Sequence, residues 1–145
     1  MNTHNQQITF LQTDLIRSIE VTYFEYRVPA GFPSPAMDYL EQKLDLKDYL
    51  INHPDSTFFV RVKGESMTGE GINDGDLLVV DKSIEATMGQ IVIAEINGEF
   101  TVKKIDKIKG KLFLVAANDK FDPIPLNEDM DFLVWGVVTY AIHKT

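Results

Sequence analysis

A serine hydroxyl and a lysine amine are the groups whose setting in this chain suggests joint chemistry. Ser66 stands in Gly64-Glu65-Ser66-Met67, directly after the strand-like run Phe58-Phe59-Val60-Arg61-Val62-Lys63. Lys103 stands in a second such run, Glu99-Phe100-Thr101-Val102-Lys103-Lys104. A nucleophile needs a tight turn, and Gly64, Gly69 and Gly71 free the backbone around Ser66. The amides of Ser66 and Met67 can then point at a developing oxyanion. Upstream, Ala30-Gly31 offers two small side chains between a β-like segment and a pair of prolines. Extended segments of this kind are what peptidases bind, strand to strand. Together these features point to a peptidase that cuts its own chain.

Each feature has a plainer reading. A lone serine after a strand is usually a turn residue, a strand lysine usually faces solvent, and Ala-Gly is often only a joint. A histidine base is poorly supported. His4 lies in a polar terminus, His53 at an expected helix end that suits its charge, and His143 beside the C-terminus. No histidine pair has the spacing of metal ligands, and no cofactor is expected. A lysine base has a different difficulty, because at pH 7 an unperturbed lysine is neutral only about four times in ten thousand. It must be desolvated to serve. Phe100, Val102, Ile105 and Ile91-Val92-Ile93 could supply apolar walls. Strand alternation groups Lys103 with Thr101 and Ile105, and Lys104 with Phe100 and Val102. Pattern alone does not choose between the two lysines.

The elements that must position these groups read as mainly β. Residues 58–63, 77–81, 90–96, 99–107, 112–116 and 132–142 are the expected strands. Asn97-Gly98 is a strong two-residue hairpin signal, Lys109-Gly110 is expected to turn the next hairpin, and Asn73-Asp74-Gly75-Asp76 marks a turn. A short helix is expected over 45–53, capped by Asp45 and stopped by Pro54. Another turn or two of helix is expected over 36–41. The β-rich stretch 21–28 could add to a sheet edge, lie in a cleft, or be an ordinary first strand. Gly31-Phe32-Pro33-Ser34-Pro35 is the clearest punctuation in the chain. It divides an N-terminal arm, 1–30, from a β-rich domain, 31–145.

The 145 residues suit one domain of ordinary size, and a hydrophobic fraction of 44% suffices for a core. A net charge of −8 argues against a protein that grips DNA by its phosphates. The lysines between Lys103 and Lys111 read as the solvated face of a hairpin, Lys103 excepted. The chain contains no cysteine, which removes disulfides, thiolate zinc sites and thiol nucleophiles. No apolar run approaches bilayer length and the N-terminus lacks a cationic start, so a soluble, cytoplasmic protein is expected.

Four segments carry a resemblance: Ala30-Gly31-Phe32-Pro33-Ser34-Pro35-Ala36, Gly64-Glu65-Ser66-Met67, the run from Gly71 to Asp81, and Gly98-Glu99-Phe100-Thr101-Val102-Lys103-Lys104. With them the chain closely resembles the LexA/UmuD family of self-cleaving serine peptidases, on its UmuD side. The match runs from about Gly31 to near the C-terminus. The resemblance implies a compact, antiparallel LexA/signal-peptidase-like β fold with one or two short helices. It also implies that Ser66 is the nucleophile and Lys103 the base, their separation of 37 residues fitting the family's dyad. That settles the choice between the lysines. The implied cut falls between Ala30 and Gly31. Ala-Gly is the pair typical of LexA-like repressors, whereas the best-known UmuD carries cysteine before the cut. Thirty residues cannot hold the helix-turn-helix domain of a repressor, so a repressor is not expected, and with no apolar run of bilayer length neither is a membrane-anchored signal peptidase.

By the same resemblance the protein serves SOS mutagenesis. A RecA filament on single-stranded DNA would stimulate cleavage, and the trimmed homodimer would join a UmuC-like subunit of an error-prone translesion polymerase. Two rivals remain in view. One is an accessory protein with a vestigial dyad, which the presence of Ser66, Lys103 and Ala30-Gly31 disfavours. The other is a peptidase acting chiefly on other chains, which the built-in cleavage segment disfavours.

Overall fold

A computed structural model describes residues 7–12, 17–25 and 40–145 of the chain. The candidate cleavage bond Ala30-Gly31 lies outside the described residues, as does His4. The chain forms two compact units, Leu15–Asn52 and the remainder, Met1–Asp14 with His53–Thr145.

In the larger unit, the described strands are β1 (Gln7–Gln12), β4 (Thr57–Lys63), β5 (Leu77–Asp81), β6 (Ile91–Ile96), β7 (Glu99–Ile108), β8 (Lys111–Val115), β9 (Ile124–Pro125) and β10 (Phe132–Ile142). They form one sheet in the order β1-β4-β5-β10-β6-β7-β8-β9, and each pairing is antiparallel. The sheet curls until β1 approaches β7. This is the compact antiparallel β architecture expected from the sequence. The six strands read from the pattern agree with the observed ones to within a residue at each end. At the β6–β7 turn both central residues take positive φ, Asn97 at 50° and Gly98 at 83°. Lys109 and Gly110 do the same between β7 and β8, at 52° and 79°. Positive φ at both positions matches the twist of the flanking strands.

Alternation along β6 and β7 sends side chains to two apolar clusters. Ile93 and Val102 join Val60, Val62, Met67, Ile72, Leu78 and Val80 in the first. Val92, Ala94, Ile96 and Ile105 join Leu114 and Val137 in the second. Strands β5 and β6 lie inside the sheet and are buried along most of their length, which is why they read as nearly continuous apolar runs.

The smaller unit pairs β2 (Glu20–Glu25) with β3 (Leu40–Asp45) in antiparallel register, Glu20 opposite Asp45 and Glu25 opposite Leu40. The described part of the β-rich stretch, residues 21–25, therefore pairs with β3 rather than with a strand of the large sheet. Leu40 and Glu41, expected to be helical, open β3 instead, because cross-strand pairing outweighs local propensity. Residues 36–39 lie outside the described residues. Helix α1 (Leu46–Leu50) begins at Asp45, whose Oδ1 accepts the Lys47 and Asp48 amides at 2.9 and 3.4 Å. It is shorter than the expected 45–53. Pro54 starts a 3-10 turn over Pro54–Ser56, so its missing amide opens an element rather than ending one.

Candidate active site

Strand β4 delivers the chain to Gly64, which has φ 119°, a backbone conformation that residues with a Cβ rarely adopt. The Gly64 amide donates to Asp74 Oδ1 at 2.8 Å, tying the start of the serine loop to the 73–76 turn. On the far side of Ser66, a 3-10 turn spans Thr68–Glu70. The Met67 side chain is buried in the first apolar cluster and anchors the loop between them. The loop's carbonyls are held by the stretch that follows β8. Ala117 N donates to Ser66 O at 2.8 Å, Gly69 N donates to Ala117 O at 2.7 Å, and Asn118 Nδ2 donates to Glu65 O at 2.9 Å.

Lys103 comes to Ser66 from the middle of β7. Its Nζ lies 3.0 Å from Ser66 Oγ, 2.8 Å from Thr101 Oγ1 and 3.2 Å from Val102 O. Ser66 is 1% exposed and Lys103 2%, so bulk water is excluded from both. Across the β6–β7 pairing Lys103 sits opposite Val92, itself fully buried. Lys104, on the other face of the strand, pairs with Glu70 near the surface. The two lysines that the pattern left equivalent are thus distinguished by which one is dry and touches the serine.

Burial pushes the Lys103 ammonium down from 10.5 to about 8. About a tenth of the molecules then carry a neutral amine at pH 7, against fewer than one in a thousand for an exposed lysine. The three contacts suit both charge states. The ammonium donates to three oxygens. The neutral amine keeps two N–H donors for Thr101 and Val102 and turns its lone pair to the Ser66 hydroxyl.

The depressed pKa is also a statement about stability. Between about pH 8 and 10.5 the unfolded chain holds a proton at Lys103 that the folded chain has shed, so stability rises with pH across this window. The full rise is about 3 kcal/mol, at about 1.4 kcal/mol per unit. A Lys103→Met chain lacks this contribution. Urea unfolding at pH 7 and pH 10.5, with Ser66→Ala present in both chains to prevent self-cleavage, is expected to show the Lys103→Met chain the more stable at neutral pH, with its advantage reduced by about that amount in alkali. An advantage that does not change with pH would mean that the side chain is hydrated in solution.

The two histidines among the described residues, His53 and His143, are engaged elsewhere. His53 precedes the 3-10 turn rather than capping α1, so its expected role at a helix end is corrected. Its Nδ1 lies 2.6 Å from Asp81 Oδ2, and Ser83 Oγ donates to Asp81 Oδ1 at 2.6 Å. Burial raises the Asp81 pKa, but these hydrogen bonds outweigh it and hold the carboxyl below its usual range. His143 Nδ1 stands 3.9 Å from Asp76.

Sequence reasoning missed Thr101, Asp74, Ala117 and Asn118. Thr101 had a signal, since alternation already placed it two residues from Lys103 on the same face. Ala117 and Asn118 had none, because Asn118 meets Glu65 across 53 residues of chain. Among the described residues no helix is long and apolar enough to cross a membrane.

Comparison with known proteins bears on what this arrangement is for. The family description Peptidase S24-like matches residues 22–139. Protein SamA of Salmonella typhimurium is 49% identical over 122 residues, covering 84% of each chain. Protein MucA of Escherichia coli is 42% identical over 123 residues, again 84% of each chain. The LexA repressor of Hahella chejuensis is 41% identical over 101 residues, which is 70% of this chain and 50% of the repressor.

Proposed function

The chain belongs to the S24-like peptidases, the LexA/UmuD family, and from that premise we propose that it cleaves itself between Ala30 and Gly31 with Ser66 as nucleophile and Lys103 as general base. The observation that carries this reading is the 3.0 Å contact between a buried amine and a buried hydroxyl. Neutral Lys103 takes the Ser66 proton as Oγ bonds to the Ala30 carbonyl carbon. The resulting oxyanion is met by the amides of Ser66 and Met67. Collapse breaks the bond to the Gly31 nitrogen, which receives the proton from Lys103. The acyl group on Ser66 is then hydrolysed by a water that Lys103 deprotonates, restoring the serine. Thr101 and Val102 hold the amine in line throughout.

The biological setting belongs to the same proposal. Cleavage is triggered by a RecA filament on single-stranded DNA and frees residues 1–30. The trimmed chain acts as a homodimer with a UmuC-like translesion polymerase subunit in SOS mutagenesis. Names of relatives such as MucA and SamA, and the LexA match, support that context. The net charge of −8 suits a partner of proteins rather than a reader of DNA.

The rate of self-cleavage tests the chemistry. With the base titrating at about pH 8, the neutral fraction, and so the rate, rises about tenfold from pH 7 to pH 9 and levels off beyond. Purified protein incubated across this range, with fragments weighed by mass spectrometry, reads both the site and the profile. A flat rate from pH 7 to 10, or a break elsewhere than after Ala30, would overturn the proposal.

A further inference from the structure

We infer that Asn118, with the Ala117 amide, is a strap that aims the oxyanion donors of the serine loop, making Asn118 a positioning residue for the self-cleavage proposed above, on which this inference rests. In a planar trans peptide the carbonyl of one residue and the N–H of the next point in opposite directions. Fixing the carbonyl therefore fixes the amide. The Glu65 carbonyl is held by Asn118 Nδ2 at 2.9 Å, and the N–H across that peptide is that of Ser66. The Ser66 carbonyl is held by Ala117 N at 2.8 Å, and the N–H across that peptide is that of Met67. Both donors assigned to the oxyanion thus belong to peptide planes pinned from behind by two adjacent residues.

The Asn118 amide is itself oriented. Its Oδ1 accepts the Lys120 amide at 3.0 Å, which turns Nδ2 towards Glu65. The Asn118 carbonyl accepts Phe121 N at 3.0 Å, closing the turn that carries it. Gly69 N, at 2.7 Å from Ala117 O, locks the other end of the strap to the loop. A donor already aimed in the ground state needs no reorganisation when negative charge develops. Without Asn118 the Glu65 carbonyl keeps only the Thr68 N–H at 3.3 Å, a longer bond made within the loop itself. Asn118 adds the shorter bond, at 2.9 Å, from outside the loop.

Two substitutions test the strap. Asn118→Asp keeps the acceptor for Lys120 N and loses the donor to Glu65, whereas Asn118→Ala loses both. Self-cleavage is followed at pH 10, above the Lys103 titration, where the rate reports geometry rather than protonation. Each variant is expected to cleave about tenfold more slowly than the parent, a smaller loss than deleting an oxyanion donor outright. In Asn118→Ala the midpoint of the pH profile is expected to stay at the parent value, because Lys103 is not disturbed. Residual dipolar couplings on nitrogen-15-labelled protein read the N–H directions themselves. In Asn118→Ala the Ser66 vector is expected to reorient or lose order, while Met67, held by the Ala117 backbone, and the β6 and β7 amides keep theirs.

A plateau rate within twofold of the parent in both variants overturns the proposal. So does a slower rate with the Ser66 vector unmoved, or a loss that arises wholly from a shifted midpoint. A parent chain that stays whole at pH 10 overturns the self-cleavage reading instead and with it the catalytic role. The dipolar couplings then still decide whether Asn118 aims the Ser66 amide.

Discussion

Chains carrying Ser66→Ala or Lys103→Met are expected to remain intact at every pH from 7 to 10, with the cut after Ala30 slowed at least about 10⁴-fold. Removing the hydroxyl removes the atom proposed to form the acyl bond. Removing the amine leaves a buried hydroxyl with no other base in contact among the described residues, since the observed contact to Ser66 Oγ comes from Lys103. Methionine is chosen over alanine because it fills most of the volume of a side chain that is 2% exposed and avoids opening a cavity. It also removes the cost of burying an ammonium, so lost activity in this variant cannot be ascribed to unfolding. The two changes should not be additive, because each disables the same proton transfer. Fragment masses after long alkaline incubation, for the single and double variants, provide the measurement. Residual cleavage after Ala30 in Lys103→Met that still rises with a midpoint near pH 8 would assign the titration to another group and remove Lys103 from the mechanism.

The second large effect is expected at Gly69. A Cβ there would lie 2.4 Å from Ala117 O and 3.2 Å from Ala117 C, and both are backbone atoms that cannot rotate away. Gly69→Ala must therefore push the serine loop and the strap apart, lengthening the Gly69–Ala117 bond at 2.7 Å and the Ala117–Ser66 bond at 2.8 Å. Overpacking of this kind costs about 1–3 kcal/mol. The displacement also reaches Ser66, the proposed nucleophile, where misplacement by about 1 Å can cost about 100-fold in rate. Gly71→Ala is the natural control. It lies two residues on, has φ 77°, and has no described residue within 4 Å of its Cβ position, so the strain there is local. Urea unfolding and the cleavage rate at pH 10 are expected to separate the two, with Gly69→Ala losing both stability and activity and Gly71→Ala losing mainly a little stability. Parent-like cleavage in Gly69→Ala would show that the strap does not constrain the loop.

These expectations rest on different amounts of sequence information. The strands around Ser66 and Lys103 were legible because β5 and β6 are buried runs with strong β-formers, and because Asn97-Gly98 and Lys109-Gly110 can take positive φ at both turn positions. Strand β3 was not legible. Leu40-Glu41-Gln42-Lys43-Leu44-Asp45 has little β propensity, and it is a strand because β2 supplies a partner for its backbone. Strand β9, two residues long and ending in Pro125, falls below what a pattern can reveal.

The sequence alone determined that Lys103 shares a strand face with Thr101 and Ile105, since a period of two follows from strand geometry. It also determined that a glycine-bounded turn carries Ser66. What the residues could not determine, apart from family resemblance, was which of two adjacent lysines would be dehydrated. That depends on what packs over each face of β7, with Val92 opposite one lysine and Glu70 beside the other. The clasp of Ala117 and Asn118 behind the serine was likewise decided only by the tertiary fold. Proximity across fifty residues leaves no local trace in composition or periodicity, whereas desolvation and peptide orientation, the two quantities this chemistry needs, are properties of the packed chain.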